Sequence, residues 1–162
     1  MQPQFTDKAK TALILAERAA RSLRQSYVGS EHILLGLLRE NTGVAATVLL
    51  NNGVDVVRLK EMIKDLIVPE TSVLIAERDG YSPRAQAILE EAHRQADRFG
   101  SEKTGTEHIL LALLKEGENV AVRLLNTMGI SVQKLYVDGF RHDIRGKRGR
   151  RPLQRRFRQK AE

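Results

Sequence analysis

An internal repeat constrains this chain more than any other feature of its sequence. The segment GSEHILL at 29–35 recurs 76 residues later as GTEHILL at 105–111. The same repeat offset of 76 residues aligns Phe5-Thr6 with Tyr81-Ser82. Between 5–62 and 81–138, 20 of 58 positions are identical without a gap. A match of this extent indicates duplication of one structural unit, so the two copies should fold alike.

The first helix of each copy is predicted from apolar residues that recur at spacings of three and four. Those of the first copy are Ala9, Ala12, Leu13, Ala16, Ala20 and Leu23, and all their equivalents in the second copy are apolar as well. Thr6 and Ser82 precede the two helices as predicted N-caps. Pro83 stands at the first helical position of the second copy, where its missing N–H is tolerated.

Three further helices are predicted in each copy. A short apolar helix follows Ser30 or Thr106, the predicted N-caps, with Glu31 or Glu107 in its first turn. A third helix covers 44–52 or 120–128 and stops at a glycine, and a fourth begins at Asp55 or Ser131. The sequence therefore predicts an all-α fold of two tandem four-helix pseudo-repeats packed as one compact domain, with repeat 1 at 4–67, a linker at 68–80 and repeat 2 at 81–140.

The fourth helix of the second copy departs from the pattern. Three aliphatic residues of the first copy, Ile63, Leu66 and Ile67, are answered by Gly139, His142 and Asp143. Each large aliphatic side chain contributes about 1.5 to 3 kcal/mol when it is fully buried. We therefore expect the last helix to fray near Gly139 and residues 144–162 to be disordered.

The positive charge is confined to the C-terminal residues. The formal net charge is +7, but residues 141–162 hold ten Lys and Arg against two acids, which leaves 17 basic and 18 acidic residues in 1–140. This basic tail has three interpretations: a solvated linker, a flexible arm that binds nucleic acid through phosphates, or a contact for an acidic partner. Only Phe157 and the adjoining Phe140 are available for base stacking, so nucleic-acid binding is the less favoured function.

Several function classes lack their required residues. The chain has no Cys, which excludes disulfides, thiolate metal sites and a cysteine nucleophile, and no phosphate-binding Gly-x-x-x-x-Gly-Lys-Ser/Thr loop occurs. No run of about 20 apolar residues and no signal peptide is evident, so a soluble, cytoplasmic protein is expected. We predict a non-enzymatic binding module without a cofactor.

The duplicated motifs at 5–9, 29–38 and their copies resemble the double Clp N-terminal domain, the all-helical module that heads ClpC-type ATPase unfoldases. The resemblance covers about residues 4–138 and does not include the ATPase ring. It implies a module that recruits substrates and adaptor proteins for a Clp-type ATP-dependent protease. The expected partners are therefore marked or adaptor-delivered protein substrates, Clp adaptors and the Clp ATPase and peptidase assembly, but no membrane.

The same resemblance implies two phosphoarginine sites, one for each repeat. A phosphoguanidinium needs an anion-binding helix N-terminus and a nearby carboxylate. The expected pairs are Thr6 with Glu31 and Ser82 with Glu107. Pro83 removes one amide donor, which predicts weaker phosphate binding at the second site. Ser30 and Ser82 also stand where Thr is common in the family.

Other roles for these residues remain open at this stage. Glu31 and Glu107 are also typical first-turn acids that stabilise their own helices by about 0.3 to 1 kcal/mol. His32 and His108 adjoin them, and they are interpreted as packed helix-start residues rather than metal ligands, because no third ligand is nearby. The alternative function is a regulatory or scaffolding protein that docks on the Clp machine without reading a mark.

Overall fold

The computed structural model describes residues 4–25, 27–66 and 80–150, with side chains as far as residue 142. The predicted linker at 68–80, apart from Gly80, and the last part of the tail, 151–162, lie outside the described residues, so those assignments stay predictions.

The predicted all-α fold with its repeat is confirmed, because the two sets of four helices begin at equivalent positions. The first set comprises α1 (Asp7–Ser22), α2 (Ser30–Glu40), α3 (Val44–Asn51) and α4 (Val56–Asp65). The second set comprises α5 (Pro83–Arg98), α6 (Thr106–Lys115), α7 (Val120–Thr127) and α8 (Val132–Arg150). Every helix of the second set starts 76 residues after the start of its counterpart in the first set. One apolar core extends through both sets.

The predicted caps of the first helices are present. The Thr6 hydroxyl accepts a hydrogen bond from the Ala9 amide at 3.1 Å, and the Ser82 hydroxyl accepts one from the Ala85 amide at 3.1 Å. Pro83 occupies the first turn of α5. Thr6 and Ser82 therefore fix where the two long helices begin. They also fix the positions of the N-terminal amides of these helices.

The second helices are capped differently from the prediction. Gly29 and Gly105 are the N-caps, and the two hydroxyls just after them bond to the opposite repeat. Ser30 accepts from the Ala121 amide and Thr106 accepts from the Ala45 amide, both at 3.2 Å. The hydroxyls are thus used to satisfy the first turns of α7 and α3, which lie in the other half of the chain.

Two short parallel pairings also connect the repeats. Strands β1 (Tyr27–Val28) and β2 (Gly80–Tyr81) place Val28 beside Tyr81, and a separate bridge places Phe5 beside Thr104. The two pairings are equivalent, since Thr104 corresponds to Val28 in the repeat and Phe5 corresponds to Tyr81. The segment before each long helix is therefore attached to the other repeat, and the domain is built from two interlocked halves.

Close packing of α1 on α2 depends on Gly36. A Cβ at this position would overlap the Ala12 carbonyl oxygen and lie 2.9 Å from the Ala16 amide nitrogen. The equivalent residue in α6 is Ala112, which is buried. The two repeats therefore share a pattern of helices but differ in how closely these helices approach.

The expectation that the last helix frays near Gly139 is wrong at the level of the backbone, because α8 continues to Arg150. Gly139 faces Leu111, whose Cδ2 lies 3.1 Å from where a Cβ would be. The Phe140 ring then packs edge-on against Phe99 with centroids 5.3 Å apart. Of the aliphatic residues that lack counterparts, Leu66 is 49% exposed, so its loss in the second copy removes little buried area.

No single helix among the described residues is long and apolar enough to cross a membrane; α2 and α3 pass that length and composition test only as a pair bent by 95°.

Candidate functional site

Two cavities lie where the long helices begin, and each is lined by residues of both repeats. The first, which we call the Glu31–Ser82 site, has a volume of about 620 Å³. The second, the Thr6–Glu107 site, has a volume of about 220 Å³. The Glu31–Ser82 site is lined by Tyr27, Gly29, Ser30, Glu31, Ser82, Pro83, Arg84, Glu116 and Val120. The Thr6–Glu107 site is lined by Thr6, Ser101, Glu102, Lys103, Gly105, Glu107 and His108.

The structure therefore brings the four predicted site residues together in the opposite pairs from those expected. The prediction that pairs Thr6 with Glu31 and Ser82 with Glu107 is wrong, because the segments before the long helices cross between repeats. The Ser82 amide donates to the Val28 carbonyl at 2.9 Å, and the Thr6 amide donates to the Thr104 carbonyl at 2.9 Å. Each helix cap is consequently held beside the second helix of the other repeat.

The two carboxylates are held in the same way in both sites. Each carboxylate folds back over the glycine two residues before it, and its Cδ lies 3.0 Å from where a Cβ of Gly29 or Gly105 would be. One oxygen of each would overlap that Cβ, so any larger residue would displace the carboxylate. Glycine is needed here because the acid occupies the space of a side chain.

The electrostatics of Glu31 favour a cationic partner. Burial raises the pKa of the Glu31 carboxyl, and a hydrogen bond from its own backbone amide only partly opposes this. An ionised carboxylate in such a position gains stability when a cation replaces the water it has lost. The same amide bond fits the interpretation of Glu31 as a first-turn acid, so the two roles do not exclude each other.

The neighbouring histidines have a structural role, as predicted. His32 Nδ1 accepts from the Gly29 amide and His108 Nδ1 accepts from the Gly105 amide, both at 2.9 Å. Their exposed fractions are 1% and 2%. Burial lowers the pKa of His32 to about 4, so its ring is neutral near pH 7. Within the described ranges, no group of three or more His, Asp and Glu is arranged to hold a metal ion.

Further residues line these sites that were not predicted from the sequence, and four of them carry the differences between the two sites. Arg84 and Glu116 form a salt bridge at the Glu31–Ser82 site, with Nη1 and Oε1 2.8 Å apart. Tyr27 lines that site and Lys103 lines the other. Alignment of the two copies could have indicated Tyr27 and Lys103 as site residues. They are equivalent positions of the repeat, and each lies just before the second helix of its copy.

The salt bridge has no equivalent at the Thr6–Glu107 site, because the corresponding residues have other partners. Lys8 donates to the Thr42 carbonyl at 3.2 Å. Glu40 accepts from the amides of Gly43 and Thr42 at 2.6 and 3.1 Å. The two sites thus share a helix cap and a carboxylate but differ in the charged residues around them.

Comparison with known families identifies this interlocked pair of repeats. The family model of the Clp repeat (R) N-terminal domain matches residues 4–128. The chain belongs to the Clp N-terminal domain family. Among curated proteins, it is 40% identical over 135 residues to the chaperone protein ClpB of Oceanobacillus iheyensis, with 81% of this chain and 16% of that protein covered. It is 39% identical over 131 residues to the negative regulator of genetic competence ClpC/MecB of Bacillus subtilis, with the same coverage of each.

Solved structures of Clp N-domains share the fold. The N-terminal domain of ClpD from Arabidopsis thaliana superposes with a TM-score of 0.71 at 21% identity, with 86% of this chain and 96% of that chain covered. The ClpV N-domain in complex with a VipB peptide gives a TM-score of 0.64 at 22% identity, with 82% of each chain covered. At these identities the likeness shows the fold alone.

This Clp N-domain chain spans about 16% of the length of the curated relatives it matches. The matched region is the N-terminal domain, and no ATPase domain is evident in the 162 residues.

Proposed function

We propose that this Clp N-domain is a substrate- and adaptor-recognition module of a Clp-type ATP-dependent protease, and that its two sites bind phosphoarginine-marked proteins. The observation that carries the proposal is the pairing, in each cavity, of a capped helix N-terminus with a carboxylate held over a glycine. Such a pair offers complementary groups to both halves of a phosphoguanidinium.

The helix N-termini supply the anion-binding half. The first amides of a helix lack intrahelical acceptors, and the hydroxyl cap takes up only one of them. In α1 the Thr6 hydroxyl uses the Ala9 amide, which leaves the amides of Asp7 and Lys8 for a ligand. In α5 Pro83 has no amide hydrogen, so only the Arg84 amide remains ahead of Ala85. Both helix ends also carry the positive end of the helix dipole.

The acids supply the guanidinium-binding half. Glu31 and Glu107 lie in the first turns of α2 and α6, across the cavity from Ser82 and Thr6 respectively. A carboxylate accepts two parallel N–H bonds from a planar guanidinium, which adds geometric specificity. The partly buried position of Glu31 strengthens such a bond because less water competes for it.

One protein of similar fold, the ClpV N-domain, was solved in complex with a VipB peptide. By analogy, we propose that this chain also engages extended segments of substrates or adaptors. Two sites in one domain would add avidity for proteins marked at more than one arginine.

Calorimetric titration of the chain with free phosphoarginine tests this proposal. We expect binding at two sites, and a loss of about tenfold or more in affinity at each site when its acid is changed in the Glu31→Gln, Glu107→Gln double variant. The matched control is Glu61→Gln, whose carboxylate is 64% exposed on α4, and it should bind normally. Unchanged binding in the double variant would reject these sites.

The alternative function has its own outcome in the same set of experiments. If the chain binds no phosphoarginine but forms a stable complex with a Clp ATPase or peptidase in pull-downs, it acts as a regulatory or scaffolding protein. Salt-sensitive binding to nucleic acid that is lost on truncation at Phe140 would instead assign the function to the basic tail.

A further inference from the structure

The two sites differ most at one position of the repeat. Tyr27 lines the Glu31–Ser82 site, and Lys103, its equivalent in the second copy, lines the Thr6–Glu107 site. Duplication has therefore left an aromatic ring in one cavity and an ammonium group in the other. The two groups have opposite preferences, since an aromatic face attracts a cation and an ammonium group attracts an anion.

The donors available to an anion differ in the same direction. At the Glu31–Ser82 site, the Arg84 guanidinium is paired with Glu116 at 2.8 Å, and Pro83 removes one backbone donor. At the Thr6–Glu107 site, no salt bridge of the described residues involves Lys103, and two amides precede Ala9 in α1. The Thr6–Glu107 site therefore keeps more of its positive groups for a ligand.

The volumes of the two sites are also unequal. About 620 Å³ at the Glu31–Ser82 site is within the range of about 300 to 1,000 Å³ that is typical of ligand pockets, and about 220 Å³ at the Thr6–Glu107 site is below it. The larger cavity has room for a planar side chain and part of the peptide that bears it. The smaller cavity suits a compact group.

We propose that the two sites select different parts of a marked arginine: Tyr27 makes the Glu31–Ser82 site selective for the planar guanidinium, and Lys103 makes the Thr6–Glu107 site selective for the phosphoryl group. This inference rests on the function proposed above and adds to it that the two sites are not equivalent. Tyr27 and Lys103 are specificity-determining residues in this scheme.

At the Glu31–Ser82 site, the guanidinium lies between the Tyr27 ring and the Glu31 carboxylate. The ring provides a face on which the planar cation stacks, and the carboxylate accepts its N–H groups. Burial raises the pKa of Glu31, and the hydrogen bond from its own amide opposes this only in part, so its charge is incompletely compensated in the unliganded site. A guanidinium supplies the compensation that is missing.

At the Thr6–Glu107 site, Lys103 and the amides at the start of α1 face a phosphoryl group. Three acids oppose it: Glu102 and Glu107, which line the cavity, and Asp7, which is exposed on α1 and is not part of the lining. The net side-chain charge of the two linings is the same, with two acids and one base in each. Selectivity therefore comes from whether the base is free of an ion pair, and not from total charge.

The test uses three probes that separate the two halves of the ligand: inorganic phosphate, arginine and phosphoarginine. Nuclear magnetic resonance titration of the ¹⁵N-labelled chain reports on each site separately through the amides of Gly29 and Gly105, which lie at the two cavities. We expect phosphate to bind the Thr6–Glu107 site about fivefold more tightly than the Glu31–Ser82 site, and arginine to show the reverse order. One exposed charge changes an affinity by about this factor.

Exchange of the two residues is the decisive perturbation. The Tyr27→Lys, Lys103→Tyr double variant should reverse the order of affinities for phosphate and for arginine. The Tyr27→Phe variant keeps the ring and should keep the wild-type order. Equal affinities of the two sites for each probe, or an order that survives the exchange, would overturn the inference.

The same titrations separate this inference from the proposed function. If phosphoarginine binds both sites equally, the function stands and the selectivity fails. If phosphate and arginine sort to different sites but phosphoarginine binds neither, the selectivity stands and the proposed ligand fails. If no probe binds, both are overturned.

Discussion

Replacement of Thr106 by valine tests the hydrogen bonds that lock the two repeats together. The Thr106 hydroxyl accepts from the Ala45 amide at 3.2 Å, across 61 residues of sequence, and Thr106 is only 3% exposed. Valine has nearly the same shape as threonine but no acceptor. The variant therefore removes the bond and leaves the packing of α6 on α3 in place.

The expected loss in the free energy of unfolding follows from the amide that the Thr106→Val substitution leaves without an acceptor. Ala45 is fully buried in the first turn of α3, so its amide would lose its acceptor without access to bulk water. An unsatisfied buried donor costs about 1 to 3 kcal/mol. In a domain of this size each kcal/mol lowers the melting temperature by about 2 to 4 °C. The symmetric variant Ser30→Ala, which removes the acceptor of the Ala121 amide, should have a similar effect.

Urea unfolding followed by circular dichroism measures the change in the free energy of unfolding. Thr127→Val is the matched control, because the Thr127 hydroxyl is exposed and donates within its own helix to Arg123. We expect less than about 0.5 kcal/mol there. If Thr106→Val destabilises the chain no more than Thr127→Val, the inter-repeat bonds do not contribute as we have argued.

Three further predictions concern packing and protonation. Gly36→Ala should destabilise the fold by about 1 to 3 kcal/mol, because its Cβ would overlap the Ala12 carbonyl, whereas Gly117→Ala has open space and should be nearly neutral in urea unfolding. Burial alone would raise the pKa of Glu91, but hydrogen bonds from basic neighbours outweigh it and hold the pKa at about 2. This stabilisation is present above pH 4.5 and is lost as pH falls towards 2, so Glu91→Gln should flatten the dependence of unfolding free energy on pH in that window. Burial lowers the pKa of His32 to about 4, so stability should also fall as pH drops from 6.5 to 4, and NMR titration should show the folded ring protonating only near the lower value; protonation near pH 6.5 would contradict this.

Much of the helical pattern is predictable from residues that are close in sequence. The caps Thr6 and Ser82, the glycines that end α3 and α7, and the starts of the first, third and fourth helices of each copy follow from local patterns and from the internal repeat. The last helix is the exception. Its continuation past Gly139 depends on Leu111 and on the ring of Phe99, which are distant in sequence.

Four residues of the candidate sites, Thr6, Glu31, Ser82 and Glu107, were also identified from the sequence, but their pairing was not. Thr6 and Glu31 belong to one repeat, and nothing in the sequence of that repeat indicates that they lie in different cavities. The pairings of Val28 with Tyr81 and of Phe5 with Thr104 are made between repeats, so they have no local signal. Tyr27 and Lys103 were missed because nothing in a single copy marks them as site residues.

The sequence by itself determined the duplicated unit, its four helices, the family and the residues that offer an acid and a hydroxyl in each copy. These properties depend on helical periodicity and capping, which act over a few residues. Only the tertiary structure decided which acid meets which cap, that the Ser30 and Thr106 hydroxyls bond across the domain, and that an aromatic ring lines one cavity and an ammonium group the other. Those features depend on how two similar units pack together. In a chain of two copies, each cap could lie beside the acid of its own repeat or of the other repeat, and the packing of the two copies determines which of these forms.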